Sequence, residues 1–283
     1  MNSPSGYSPF KVSIDMTATP PVITPSGKTF VRPSFTEAGN FFSYKQLMDW
    51  VREKYKKEPA RVSFGDGTDV PRWEEDAQRI LREGGYSSAV MIIEAVRSES
   101  LHAPDPKSVI LKTFEYQNHS EEEMKAKPKV TMKFVDSLTT ASSDKWSWGV
   151  KLGTKYEIKQ TGLGPTAEMT LGHEWGTSES SAASSDYVVE DTVDLAVPKG
   201  ETRFAKLYAA QRRVTFSIVY KIEMKGYAVA WLHEENDLGT PQVISLSDAA
   251  TGAGVKRNPI EYKENVALGI IGDSKLVAEK PKQ

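Results

Sequence analysis

His233-Glu234-Glu235 sets a base beside two carboxylates, the residue types that general acid-base chemistry uses. Such chemistry needs the side chains to converge on one bond, and a charged triplet just ahead of Asn236-Asp237-Leu238-Gly239 reads instead as a solvated turn. The other histidines, His102, His119 and His173, are scattered, without a His-Glu-x-x-His run or paired metal-ligand spacing. No metal and no cofactor is expected. Neither a Gly-x-Ser-x-Gly elbow nor a Gly-x-x-x-x-Gly-Lys-Ser/Thr phosphate loop occurs. Gly162-Leu163-Gly164 runs into Pro165 and reads as a turn, and Thr251-Gly252-Ala253-Gly254 lacks a strand-turn-helix context. Nothing in these residues points to an enzyme.

The spacing that does carry chemistry lies between Trp146 and Trp175. In its first arm Trp146, Trp148, Val150, Leu152, Thr154, Tyr156 and Ile158 alternate with Ser147, Gly149, Lys151, Gly153, Lys155, Glu157 and Lys159. That is period two, a strand between two unlike surroundings. After Gly162-Leu163-Gly164-Pro165 the apolar set moves to odd positions, Ala167, Met169, Leu171 and Trp175, with Glu168, Thr170, Gly172, Glu174 and Gly176 between them. Opposed residues of an antiparallel pair share a face, so even must meet odd for both apolar sets to lie on one side. Pairing Ile158 with Ala167 achieves this and sets Tyr156 opposite Met169, Val150 opposite Trp175, Lys151 opposite Glu174 and His173 opposite Leu152. Registers slipped by two residues remain open. A tilted strand crosses the hydrocarbon layer with roughly 9–11 residues, a length both arms reach. A half-buried hairpin in a soluble antiparallel sandwich alternates in the same way, so the pattern alone does not decide between them.

Composition narrows the classes. A chain of 283 residues can bury a sizeable core, and 36 Lys and Arg against 38 Asp and Glu leave no basic footprint for nucleic acid. Apolar runs such as Ala89 to Ile93 fall far short of the ~18 residues of a transmembrane helix. With no cysteine, disulfides and thiolate chemistry are excluded. No secretory signal is visible at Met1 to Lys11, either trimmed or never present, and the chain is expected to be secreted or released as a soluble protein.

The elements that must position the hairpin follow from local signals. Residues 1–37, rich in Pro, Ser and Thr, read as an extended arm. Residues 38–107 read as a small mixed head with one helix over Ser43 to Lys57 and a second from Pro71 to a stop at Gly84-Gly85. Its aromatics Trp50, Tyr55 and Trp73 are assigned with Tyr86 to the core. Tyr86 to Val96 fits strand or helix equally. Residues 108–283 read as β-rich, with Val214, Phe216, Ile218, Tyr220, Ile222 and Met224 alternating along one long strand. Ser/Thr-dense tracts, 137–143 and 177–185, bracket the hairpin. They read either as solvent-facing strand or loop, or as extensions of its arms.

Taken in order, several motifs resemble one known arrangement: Thr113-Phe114-Glu115-Tyr116-Gln117-Asn118-His119-Ser120, the first Ser/Thr tract, the hairpin, the second tract, and the turn within Val193 to Glu201. They resemble the aerolysin-like β-pore-forming family, in its epsilon-toxin and mosquitocidal-toxin branch. There a strand ending in Thr-x-x-x-x-Asn precedes the Ser/Thr-rich strands and a Val-Pro-Pro-Gly turn follows them. Here Val197-Pro198-Lys199-Gly200 stands in for that turn, with Lys199 replacing the second proline. The resemblance spans roughly Ser108 to Met224, less than half the chain, and the head matches nothing nameable.

The resemblance implies a mainly β (α+β) fold, an elongated aerolysin-like β-sheet body carrying a small mixed α/β head. It implies a soluble monomer or small oligomer that meets a target cell membrane through an unknown surface receptor. There it forms a homo-oligomeric ring and releases one hairpin per protomer into a shared β-barrel, as an insecticidal or other cytolytic toxin or defence protein. Closure of the barrel is obligatory, because a lone hairpin in lipid leaves backbone groups unpaired. On this implication Trp146, Trp148, Val150, Leu152, Tyr156, Ile158, Ala167, Met169, Leu171 and Trp175 face lipid. Lys151, Lys155, Glu157, Lys159, Glu168 and Glu174 line the lumen, where three Lys against three Glu imply weak ion selectivity. Gly162, Leu163, Gly164 and Pro165 form the tip. Proteolytic trimming of the Pro-rich start or of the Lys-rich end after Lys275 would activate it. The alternatives are a non-lytic, lectin-like or storage protein of the same fold, and a carbohydrate-active β-sandwich enzyme with a deep cleft of carboxylates.

Overall fold

The computed structural model describes residues 10–31, 44–65, 71–142, 151–159, 167–174, 181–234, 237–252 and 259–280. Its strands are β1 (Phe10–Asp15), β2 (Val22–Val31), β3 (Pro59–Ser63), β4 (Val90–His102), β5 (Lys107–Gln117), β6 (Met124–Ala126), β7 (Lys129–Ser142) and β8 (Lys151–Lys159). They continue as β9 (Ala167–Glu174), β10 (Ser181–Thr192), β11 (Leu195–Val197), β12 (Thr202–Lys225), β13 (Tyr227–Glu234), β14 (Asp237–Leu238), β15 (Gln242–Ser245) and β16 (Ile260–Glu279). Helices α1 (Tyr44–Tyr55), α2 (Pro71–Glu83) and α3 (Leu246–Gly252) complete the described elements.

Strand β12 is the spine. Its alternating Val214, Phe216, Ile218, Tyr220, Ile222 and Met224 are all buried, as period two predicts. Along one side it pairs antiparallel with β16, from Phe204 opposite Glu279 to Ile222 opposite Ile260. Along the other it pairs first with β5 and then with β4. Among the described residues one sheet runs in the order β10-β7-β16-β12-β4-β2-β1-β8-β9, with β5 joining β12 beside β4. The segment Tyr86 to Val96, ambiguous by periodicity, is resolved as strand because β12 offers it a ladder from Val90 onward. The Ser/Thr tracts meet one another: Thr140 lies opposite Ser181 and Thr139 opposite Ala182 in the β7–β10 pair.

Phe10–Asp15 and Val22–Val31 are strands of the large sheet, joined by a turn over 16–20. Strand β1 pairs antiparallel with β2 and parallel with β8, and β2 passes on to β4.

Residues 44–83 and 227–252 together make a mixed unit. Strand β13 pairs with β3, β14 and β15. Helix α2 ends as read, at Gly84-Gly85: Tyr86 N donates to Leu81 O at 2.8 Å, Gly85 N donates to Arg82 O at 3.2 Å, and Gly85 adopts φ +73°. This double closure satisfies the last carbonyls with a left-handed glycine. Helix α2 buries Ala77 and Leu81 against Val229 and Trp231, with Trp73 edge-on to Trp231 at 5.1 Å. Helix α1 buries Leu47 and Val51 in the main core, and Trp50 and Tyr55 pack against it. Tyr86, by contrast, is 42% exposed, its ring tilted against that of Tyr227 at 4.8 Å. The chain enters β13 through Gly226 at φ +92°, where a Cβ would stand 2.2 Å from Ser88 O, so only glycine fits that passage.

Two motifs noted only for their order prove to be in contact. Asn118, buried at the end of β5, donates through Nδ2 to Val197 O at 2.7 Å and to Glu122 O at 2.8 Å. Its Oδ1 accepts from Ser120 N at 2.9 Å, while its backbone holds Gly200 N and Glu201 O on the far side of the 198–200 turn. One amide side chain thus fastens two loops that are distant in sequence. Asn118→Asp replaces the donor with a third acceptor facing two carbonyls and should destabilise the fold by about 2–4 kcal/mol in a urea titration.

On the surface, Arg97 joins Glu261 at 2.8 Å and Glu99 at 2.7 Å, and Lys263 donates to Glu99 at 2.5 Å, linking β4 to β16 across β12. Lys263 and then Arg97 hold the Glu99 carboxyl below its ordinary value, and Arg97 does the same for Glu261. Depressed folded-state values mean that the network stabilises above the ordinary carboxylate range and is lost as pH falls through the folded value. Glu99→Gln/Glu261→Gln should therefore melt slightly below wild type at pH 7, with the gap closing on acidification below about pH 4. Melting curves against pH check this.

Candidate functional site: a docked amphipathic hairpin

Strands β8 and β9 pair antiparallel in the register derived from parity: Ile158 opposite Ala167, Tyr156 opposite Met169, Leu152 opposite His173 and Lys151 opposite Glu174. The slipped alternatives are not taken. Trp146, Trp148, Val150 and Trp175, and the tip Gly162, Leu163, Gly164 and Pro165, lie outside the described residues. For Leu152, Ala167, Met169 and Leu171, and for Lys151 and Glu174, the structure gives strand position and partner.

The two faces of β8 are unlike. Thr154, Tyr156 and Ile158 are fully buried, whereas Gly153, Lys155 and Glu157 are half-buried and Lys159 is exposed. On its inner edge β8 is flanked by β1, whose Phe10, Val12 and Ile14 stand beside Thr154, Tyr156 and Ile158 in parallel register, and the two strands together lay this face on the main core built by β4, β12 and β16. Each large apolar side chain so buried stabilises the docked arrangement by roughly 1.5–3 kcal/mol. Sequence reasoning missed this partner. The alternation Phe10-x-Val12-x-Ile14, and the charges Lys11 and Asp15 between and after, were the available signal.

The solvent face is an ion ladder. Glu157 lies directly opposite Glu168, an unfavourable like-charge pair, and Lys155 bridges both at 3.2 and 2.9 Å. Lys11 reaches Glu157 at 2.6 Å, and Lys159 reaches Asp15 at 3.5 Å. Of the residues implied as lumen charges, Lys155, Glu157, Lys159 and Glu168 are thus paired with one another or with β1 while the hairpin is docked. Exposed pairs of this kind contribute little stability.

Beneath β8 the core turns polar. Tyr220 of β12 donates from its hydroxyl to Glu264 Oε2 of β16 at 3.0 Å, with both side chains buried, and Phe10 stands edge-on to the Tyr220 ring at 5.2 Å. Burial pushes the Tyr220 hydroxyl well above the ordinary tyrosine range, and the Glu264 charge adds to the shift. The Thr154 hydroxyl faces that of Tyr220 but falls short of hydrogen-bond geometry. Thr154 Oγ1 and the Tyr156 hydroxyl are the buried side-chain polar atoms without a hydrogen-bond partner among the described residues. An unpartnered buried hydroxyl costs about 1–3 kcal/mol.

No family model and no curated protein matches the chain by sequence. Among solved structures it is similar to parasporin-2, a Bacillus thuringiensis toxin that recognizes cancer cells, at 15% identity and TM-score 0.54, over 89% of this chain and 98% of that one. It is also similar to the β-pore-forming protein Mpp75Aa1.1 of Brevibacillus laterosporus (11% identity, TM-score 0.41, 88% of this chain and 90% of that one). A third is a non-toxic crystal protein of Bacillus thuringiensis (12% identity, TM-score 0.38, 73% of this chain and 94% of that one). The fold is mainly β and aerolysin-like, as the order of motifs implied, and parasporin-2 shares it.

Because the hairpin meets the sheet through β1, its opening should be separable from global unfolding. Ile158→Ala removes a fully buried contact and should speed amide exchange across 151–159 and 167–174 by about tenfold or more. Exchange in the buried stretch of β12 should stay at the wild-type rate. A uniform acceleration throughout would show that the hairpin opens only with the whole fold.

Proposed function

We propose that this protein is a non-enzymatic, membrane-permeabilising toxin or defence protein. In this reading it docks on a target cell through a surface receptor, assembles into a homo-oligomeric ring, and contributes the hairpin spanning 146–175 to a shared transmembrane β-barrel. The observation that supports it best is the hairpin itself: a β8–β9 ladder in a register that unites the apolar positions, on a fold shared with a toxin. On insertion Trp146, Trp148, Val150, Leu152, Tyr156, Ile158, Ala167, Met169, Leu171 and Trp175 face lipid. Lys151, Lys155, Glu157, Lys159, Glu168 and Glu174 face the lumen, and Gly162 to Pro165 leads. Water cannot satisfy backbone groups inside the bilayer, so insertion and ring closure occur together. Cytolysis of insect or other cells would be the consequence, and trimming at either terminus the trigger. The protein acts from outside the cell it attacks.

A second reading, a non-lytic binding or storage protein of the same fold, is favoured by how completely the inner face of β8 is buried in the main core beside β1. A reversible lock separates the two. Ser13 and Glu157 are register partners on the solvent face of the parallel β1–β8 pair, about 4.8 Å apart as strand neighbours and within disulfide range. The chain has no cysteine to interfere. Ser13→Cys/Glu157→Cys should be inert toward dye-loaded liposomes and cells when oxidised and active once reduced, with a large oligomer on detergent gels only in the active state. No dye release by the unlocked protein from any membrane, with monomer throughout, would select the non-lytic reading.

A further inference from the structure

The strand that leaves the core in the reading above carries two hydroxyls the core does not satisfy. Thr154 and Tyr156 are both fully buried, and neither hydroxyl makes a hydrogen bond among the described residues, although that of Thr154 faces the Tyr220 hydroxyl. Their register neighbours on β1 are Phe10 and Val12, which offer no polar side-chain atom. The acceptor nearest in kind, the buried Glu264 carboxylate, takes the Tyr220 hydroxyl at 3.0 Å, and its charge reaches Tyr156 through the same apolar pocket without a hydrogen bond. A valine at 154 and a phenylalanine at 156 would fill the same space and leave no orphan. The hydroxyls therefore act against docking, on the one core-facing strand whose departure the proposed function requires.

We infer that Thr154 and Tyr156 are release determinants: their unpartnered hydroxyls bias β8 away from its docked position. The bias arises because both hydroxyls find water as soon as β8 lifts, whereas the apolar side chains beside them gain nothing from it. Docked and lifted states are thereby brought closer in free energy while the β12–β16 core keeps its packing. This regulation rests on the pore-forming reading for its purpose, but its physical claim concerns the soluble protein alone.

The test uses the full chain, with Tyr156→Phe as the milder variant, Thr154→Val as the second, and the double substitution. Amide exchange across 151–159 and 167–174 is measured in solution, with β12 as the internal control for an intact fold. Dye release is measured from phosphatidylcholine–cholesterol vesicles and from intact cells. The expected result is hairpin exchange slowed by roughly tenfold in the double variant, with β12 unchanged and dye release delayed in step. Unchanged or faster hairpin exchange in a variant whose β12 amides remain protected overturns the inference. So does slowed exchange with dye release at the wild-type rate, since the hydroxyls would then not govern release. Slowed exchange in variants of a protein that never releases dye would support the loosening of β8 and sink the pore-forming reading instead.

Discussion

A hairpin with one apolar face has to hide that face somewhere, and here β8 lays it on the main core side by side with the strand at residues 10–15. The six-residue β1–β8 ladder, with Phe10, Val12 and Ile14 set beside Thr154, Tyr156 and Ile158, is the contact on which the docked hairpin depends. Without it the inner edge of the hairpin would present unpaired backbone, an invitation to aggregate. The ladder also sets the charge pattern, because Lys11 and Asp15 of β1 take up Glu157 and Lys159 of β8. Burial does the holding, and the ion pairs mainly fix register.

The rest of the molecule is arranged to carry that contact. Strand β12 is long enough to serve β16 on one side and both β4 and β5 on the other, so the hairpin, the head and the Asn118 clamp share one spine. The head is not a bead on a string. Its sheet is built on β13, which enters directly from β12 at Gly226, and α1 sends Leu47 and Val51 into the main core. Tyr86, on the far side of α2, remains at the surface, while Trp50, Tyr55 and Trp73 serve packing.

What could be read in the sequence was what short-range pattern encodes. The parity switch between the two arms pointed to the β8–β9 register because period two allows only even-to-odd pairings, and the fold chose among them. The long strand β12 and the glycine stop of α2 were legible for the same local reasons. The β1–β8 pairing was not, since a parallel partner some 140 residues away leaves no mark in the hairpin itself. Thr154 is a further case: it stood in the apolar row without a role of its own, and only the surroundings of its hydroxyl give it meaning. Asn118 and the 197–200 turn lay between the two extremes. Their order was visible, but the hydrogen bonds joining them required the fold.

The parallel direction of β1 against β8 makes the attachment mechanically anisotropic. Both strands run toward the hairpin tip, with Asp15 beside Lys159 at that end. A pull along the strand axis loads the whole ladder at once and meets its combined resistance. A lift at the tip, away from the sheet, strains only the Asp15–Lys159 end and opens the contact step by step toward Phe10. The same bonds are therefore strong as a shear joint and weak as a zipper, so the direction of the force, more than its size, decides whether the hairpin stays.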